Sequence, residues 1–115
     1  MEKWLRRQNA GDKISEEEKT MAILGAIVGD IEGSHFEWNN AKTKGIDIFS
    51  PYCRFTDDTV MTLAVMEICD KKLFGDPKAM AATLRKWGAR YPNVGYGGMF
   101  RKWLADPKMG PYGSF

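Results

Sequence analysis

The chain has little of what several common kinds of site require. Its 115 residues include a single histidine, His35, and two cysteines, Cys53 and Cys69. One histidine excludes a histidine-rich zinc site and any relay between two histidines. The two cysteines do not have the spacing of a zinc knuckle. As free thiols they fit a reducing compartment, so we expect a cytoplasmic protein.

Strong net charge and long apolar runs are also lacking. The formal net charge is +2, with basic residues scattered among acids, so the chain carries no direct signal for nucleic-acid binding. The longest apolar run, residues 21–29, is too short to cross a bilayer, and no signal peptide is recognisable, so no membrane partner is expected. A hydrophobic fraction of 43% with 28% charged residues is typical of one globular domain.

Helix signals recur along the chain and no stretch has a credible strand pattern, so the predicted fold class is all-α. Three helix starts are predicted from N-cap residues, and a short helix is expected over residues 99–104. Residues 1–14 are expected to form a short helix or a loosely held arm, and residues 38–54 a loop. The predicted caps are Ser15 with Glu18 in a capping box, Thr56, and Asp76 followed by Pro77.

The stretch that organises the chain is Thr56-Asp57-Asp58, at the start of the second predicted helix. One interpretation is a well-capped core helix, because acids in a first turn are favoured by the helix dipole. The other is a site for a hard cation, because adjacent carboxylate and hydroxyl oxygens are the ligands that Mg²⁺ or Ca²⁺ needs. Three oxygens do not complete an octahedron, so this second interpretation requires further ligands or several waters.

The first helix has two unusual features. Gly25, Gly29 and Gly33 leave one face bare, which indicates either tight helix packing or close approach of a ligand. Acids crowd its end, where the helix dipole disfavours negative charge, so either they have another role or this is a solvated turn. These residues are Asp30, Glu32 and Glu37, with His35 among them.

A glycine-rich turn, Gly95-Tyr96-Gly97-Gly98, leads into the short fourth helix. Backbone N–H groups at a helix start favour an anion such as a phosphate or diphosphate. The turn is neither a Walker loop nor a dinucleotide fingerprint. A plain flexible turn is the alternative.

Three blocks together resemble the ADP-ribosylglycohydrolase family: residues 25–37 (GAIVGDIEGSHFE), 55–64 (FTDDTVMTLA) and 91–100 (YPNVGYGGMF). The resemblance covers roughly residues 20–115. It implies the N-terminal part of that family's fold, a truncated orthogonal helical bundle, so we expect a partial domain over residues 15–115 preceded by the arm.

The family cleaves the bond between the anomeric ribose carbon of ADP-ribose and an acceptor, using two Mg²⁺ (or Mn²⁺) ions. By resemblance, Thr56, Asp57 and Asp58 are metal ligands, Glu37 is the acid near the scissile ribose, and residues Gly95, Tyr96, Gly97 and Gly98 lie against ADP-ribose. The family's second acidic cluster, of the Asp-x-Asp-Thr/Ser type, has no counterpart in this sequence.

Two functional hypotheses follow. The first is a divalent-metal hydrolase acting on ADP-ribose or an ADP-ribosylated protein, completed by self-association, another chain or further residues. The second is a catalytically silent relative, a pseudoenzyme that binds a protein partner through its apolar faces, for example as a phage-type inhibitor.

Overall fold

The computed structural model describes residues 14–36 and 51–110, and the regular secondary structure of these residues consists of helices joined by turns. It has four α-helices: α1 (Glu16–Ser34), α2 (Asp57–Asp70), α3 (Pro77–Arg90) and α4 (Gly98–Ala105). The predicted all-α class is therefore confirmed. The predicted arm (apart from Ile14), most of the predicted 38–54 loop and the candidate catalytic residue Glu37 lie outside the described residues.

The helices begin where their caps predict. Ser15 accepts a hydrogen bond from the Glu18 N–H at 3.1 Å and donates its own N–H to the Glu18 carboxylate at 2.9 Å, which completes the capping box of α1. Asp76 accepts from two amides of the first turn of α3, each at 3.1 Å, with Pro77 at the first helical position. Tyr91 is the C-cap of α3. Local sequence therefore determines these boundaries.

The core forms around α2, which contacts α1 on one side and α3 on the other, while α3 also contacts α4. The buried apolar residues come from α2, from the glycine-rich turn and from α4: Val60, Ala64, Ile68, Tyr96 and Trp103. The α1 helix has no buried residue. Among the four described helices, α1 contacts only α2, whereas α2 contacts two helices.

One glycine has a packing role that its sequence context did not reveal. A Cβ on Gly88 of α3 would lie 2.9 Å from both terminal methyl carbons of Leu104 on α4. By contrast, apart from neighbouring residues and backbone of α1 itself, no atom of the described residues lies within 4 Å of a Cβ placed on Gly25, Gly29 or Gly33. The close helix approach in this structure thus occurs between α3 and α4, not against the glycine face of α1.

The outer side of α1 presents apolar side chains to solvent. Met21, Leu24 and Val28 are 68%, 50% and 54% exposed, and they share one face of the helix at positions i, i+3 and i+7. In the described part of the chain, no helix is both long and apolar enough to cross a membrane.

Candidate functional site

The end of α1 is tied to the start of α2 by the Asp30 carboxylate. Asp30 accepts from the Thr56 N–H at 2.7 Å and from the Thr56 hydroxyl, and from the Thr59 N–H at 3.2 Å and the Thr59 hydroxyl at 2.6 Å. Burial alone would raise the pKa of Asp30, but these hydrogen bonds outweigh it and place the pKa below its ordinary value. Asp30 is therefore held as a carboxylate.

Thr56 has the predicted role at the start of α2. It is the N-cap residue, and its hydroxyl oxygen accepts from the Asp58 N–H at 3.4 Å. Both Thr56 and Thr59 are buried, whereas Asp58 is exposed. Buried hydroxyls hold the turn in place while a carboxylate faces solvent beside them.

Asp57 connects the same turn to the glycine-rich segment. Its N–H donates to the Val94 carbonyl at 2.9 Å. Burial, and then the neighbouring charge of Asp58, raise the pKa of the Asp57 carboxyl. A cation between the two carboxylates would relieve this repulsion.

Tyr96 lies in the core and not on the surface of the site. Only 5% of it is exposed, and its hydroxyl donates to the Tyr91 carbonyl at 2.9 Å. Burial, and then the charge of Asp57, raise the pKa of this hydroxyl. A buried Tyr96 anchors the turn, and the exposed parts of the turn are its glycines.

Two glycines of this turn have distinct backbone positions. Gly95 has φ of +99°, a conformation that side chains disfavour, and Gly97 is the N-cap of α4. As a glycine, Gly97 has no side chain that could cap α4. N–H groups at the start of a helix can donate to an anion.

A cleft of about 480 Å³ lies between α1 and the start of α2. It is lined by one carboxylate from each helix, by a threonine and by small residues of α1: Asp30, Asp58, Thr62, Ala26, Gly29 and Gly33. The open glycine face of α1 is thus one wall of this cleft. A ligand there would contact helix backbone directly.

The donor set of the Thr56-Asp57-Asp58 turn fits a hard cation, since it consists of oxygen atoms alone. Within residues 14–36 and 51–110, no three histidine, cysteine or acidic side chains form a group that could hold a metal ion. A cation held by this turn would need further ligands, from waters or from donors outside the described residues.

Ser34 and His35, next to the end of α1, have structural contacts. The Ser34 hydroxyl donates to the Ile31 carbonyl at 2.8 Å and accepts from the Arg54 N–H at 2.9 Å. The His35 ring stacks on Tyr52 with centroids 5.7 Å apart. Both side chains therefore contact the residues that directly precede α2.

The structure brings together two of the predicted groups, the Thr56-Asp57-Asp58 turn and the glycine-rich turn. It adds Asp30, which sequence reasoning did not include among the site residues. The available signal was the position of Asp30 in the last turns of α1, where the helix dipole disfavours an acid. The four hydrogen bonds that Asp30 accepts offset this unfavourable interaction with the helix dipole.

Comparison with known proteins agrees with this arrangement at the level of the family. Neither the curated proteins nor the solved structures gave a match. The family model described as ADP-ribosylglycohydrolase matches residues 13–114, nearly the whole sequence. The match includes the end of α1, the Thr56-Asp57-Asp58 turn and the glycine-rich turn, and the chain therefore belongs to the ADP-ribosylglycohydrolase family.

Proposed function

We propose that this chain forms part of an ADP-ribosyl hydrolase site that uses Mg²⁺ (or Mn²⁺). The metal ligands from this chain are Thr56, Asp57 and Asp58, and the cleft between α1 and α2 receives ADP-ribose. The observation that supports this most is that hydrogen bonds join three separate segments: Thr56 donates to Asp30, and Asp57 donates to Val94. Separate motifs that meet at one place form a site more readily than isolated caps do.

The reaction adds water across the bond between the anomeric ribose carbon and the acceptor. The water oxygen joins the carbon, and the acceptor leaves with a proton. A bound divalent ion would orient ribose hydroxyls and lower the pKa of a water. Glu37 is the proposed carboxylate for the proton transfer, as in other glycoside cleavages. The N–H groups after Gly97 would bind the diphosphate of the substrate.

A second candidate function is a protein-binding module without catalysis. The observation that favours it is the apolar face of α1, on which Met21, Leu24 and Val28 are each at least half exposed. A helix that buries no residue is little stabilised by packing within the chain, and it would be stabilised further by burying its apolar face against a partner. In this candidate, the Thr56-Asp57-Asp58 turn serves only as a helix cap.

Calorimetric titration of the full chain with Mg²⁺, with and without ADP-ribose, separates the two candidates when the mass in solution is recorded as well. Micromolar Mg²⁺ binding that strengthens with ADP-ribose supports the hydrolase site, and hydrolase assays then follow. No binding at millimolar Mg²⁺ contradicts it.

The matched variants are Asp58→Ala, which removes a proposed ligand, and Asp76→Ala, which removes the side-chain cap of α3 outside the site. Loss of a cap costs roughly 0.5–2 kcal/mol in stability. We expect only Asp58→Ala to abolish Mg²⁺ binding. If Asp58→Ala and the wild type bind Mg²⁺ equally well, the Thr56-Asp57-Asp58 turn is only a helix cap.

A further inference from the structure

The Thr56 hydroxyl uses most of its hydrogen-bonding positions. A hydroxyl has one proton and two lone pairs. The proton of Thr56 Oγ1 goes to Asp30 Oδ1, and one lone pair accepts from the Asp58 N–H at 3.4 Å. Neither of these bonds uses the second lone pair of Oγ1.

Both oxygens of the Asp30 carboxylate are hydrogen-bonded to the start of α2. An ionised carboxylate offers about four acceptor positions, two on each oxygen. Oδ1 accepts from the Thr56 hydroxyl, and Oδ2 accepts from the Thr56 N–H, the Thr59 N–H and the Thr59 hydroxyl. Asp30 therefore fixes the first turn of α2, beside the ligands proposed above.

We propose that Asp30 is a positioning residue for a divalent cation bound by the Thr56-Asp57-Asp58 turn. By taking the Thr56 proton, it leaves the remaining Oγ1 lone pair available to a cation, and Asp57 is the next residue of the same turn. This inference rests on the proposed function.

The competing explanation is that Asp30 only links α1 to α2. A Thr59 variant distinguishes this explanation from the positioning role. Thr59 donates twice to Asp30, as Thr56 does, and it is equally buried at 7% exposure. It is not among the proposed ligands. If Asp30 only holds the helices together, loss of the Thr59 hydroxyl and loss of the Asp30 carboxylate should have the same consequences.

The test is Mn²⁺ binding to the full chain, measured from the electron paramagnetic resonance signal of free Mn²⁺, together with thermal unfolding without metal. Asp30→Asn keeps the size of the side chain but replaces an acceptor oxygen with an NH₂ group. Thr59→Val keeps the shape and removes the hydroxyl. Both variants should unfold at lower temperature than the wild type. Loss of a group that orients a metal ligand typically weakens affinity roughly 10–100-fold, so Asp30→Asn should show this loss while Thr59→Val keeps wild-type affinity.

Each other outcome has a definite meaning. If the wild type binds Mn²⁺ and Asp30→Asn binds it equally well, the positioning role is overturned while the proposed metal site stands. If both variants lose affinity in proportion to their loss of stability, the role is structural and the inference is also overturned. If the wild type binds no Mn²⁺ at millimolar concentration, the proposed function and the inference fail together.

If Asp30→Asn does not fold, a measurement on the wild type tests the positioning role of Asp30. The hydroxyl proton of Thr56, protected by Asp30, should give a slowly exchanging NMR signal at low temperature. Saturation with Mg²⁺ should shift this signal and preserve it. Disappearance of the signal would mean that Asp30 leaves Thr56 to bind the ion, and an unshifted signal that no ion binds Thr56. Both results contradict the inference.

Discussion

The indole N–H of Trp87 on α3 donates to the Glu67 carboxylate on α2 at 2.6 Å. Lys71 and Lys86 also donate to Glu67, so one carboxylate joins the two helices that share the core. The hydrogen bonds from Lys71, Lys86 and Trp87, in that order, lower the pKa of Glu67 to about 2. This cluster lies on the side of α2 that faces α3, away from the candidate site.

The lowered pKa of Glu67 predicts a loss of stability in acid. A group with a folded-state pKa below its unfolded value stabilises the fold above the unfolded pKa, here the ordinary value of 4.5. It loses that contribution as the pH falls towards 2. Urea unfolding of the wild type and of Glu67→Gln should therefore differ most at pH 6 to 7. The difference should shrink between pH 4.5 and pH 2. A constant difference across this range would contradict the role assigned to the Glu67 charge.

The two kinds of glycine should respond oppositely to alanine. Gly25 lies in the exposed interior of α1 with nothing near its Cβ position, so Gly25→Ala should stabilise the chain by up to about 1 kcal/mol through helix propensity. Gly88→Ala places a methyl group against Leu104, and overpacking of this kind costs roughly 1–3 kcal/mol. Denaturant midpoints measure both. A stabilised Gly88→Ala would mean that the Leu104 side chain moves aside without cost.

Asp57→Asn should separate stability from metal binding. The variant removes the cost of burying a charge and the repulsion from Asp58, but it also removes a favourable charge from the first turn of α2. That helix-dipole contribution is about 0.3–1 kcal/mol, so stability without metal should change by less than about 1 kcal/mol.

With Mg²⁺ at 100 times its dissociation constant, the wild type should gain about 2.7 kcal/mol in unfolding free energy, and Asp57→Asn should gain none. Thermal unfolding with and without Mg²⁺ measures this difference. An equal gain in both proteins would remove Asp57 from the ligand set.

Arg85 should be more important for stability than an ordinary surface arginine. Its guanidinium lies 4.1 Å from the ring centre of Trp103 and donates to the carbonyls of Trp103, Asp106 and Met109 at 3.2–3.3 Å. Hydrogen bonds that involve a charged group contribute roughly 1.5–3 kcal/mol, so Arg85→Met should destabilise the chain by about that amount.

Arg90 provides the matched control for this prediction. It is exposed and lies over a ring, that of Tyr91, at the longer distance of 5.7 Å. Arg90→Met should change the free energy of unfolding by less than about 1 kcal/mol. Similar losses in the two variants, measured by urea titration of tryptophan fluorescence, would show that the carbonyl contacts of Arg85 contribute nothing.

Much of the fold could be predicted from the sequence, because helix ends depend on a few neighbouring residues. The capping box at Ser15, the Thr56 cap and the Asp76-Pro77 start all lie where local hydrogen bonds predict. The same holds for the Thr56-Asp57-Asp58 turn as a set of oxygen donors, since consecutive residues at a helix start are necessarily close.

The tertiary structure alone decided which distant residues meet. Asp30 is hydrogen-bonded to Thr56, 26 positions further along the chain, and the Leu104 side chain packs against the backbone of Gly88. Neither contact follows a short-range sequence pattern. The buried position of Tyr96 was likewise decided by packing, because an aromatic residue in a glycine-rich turn has no local preference for core or surface. The sequence by itself determined the helices and the chemistry of the donors. Packing determined which carboxylate holds those donors in place, since such contacts depend on how the helices are arranged in space.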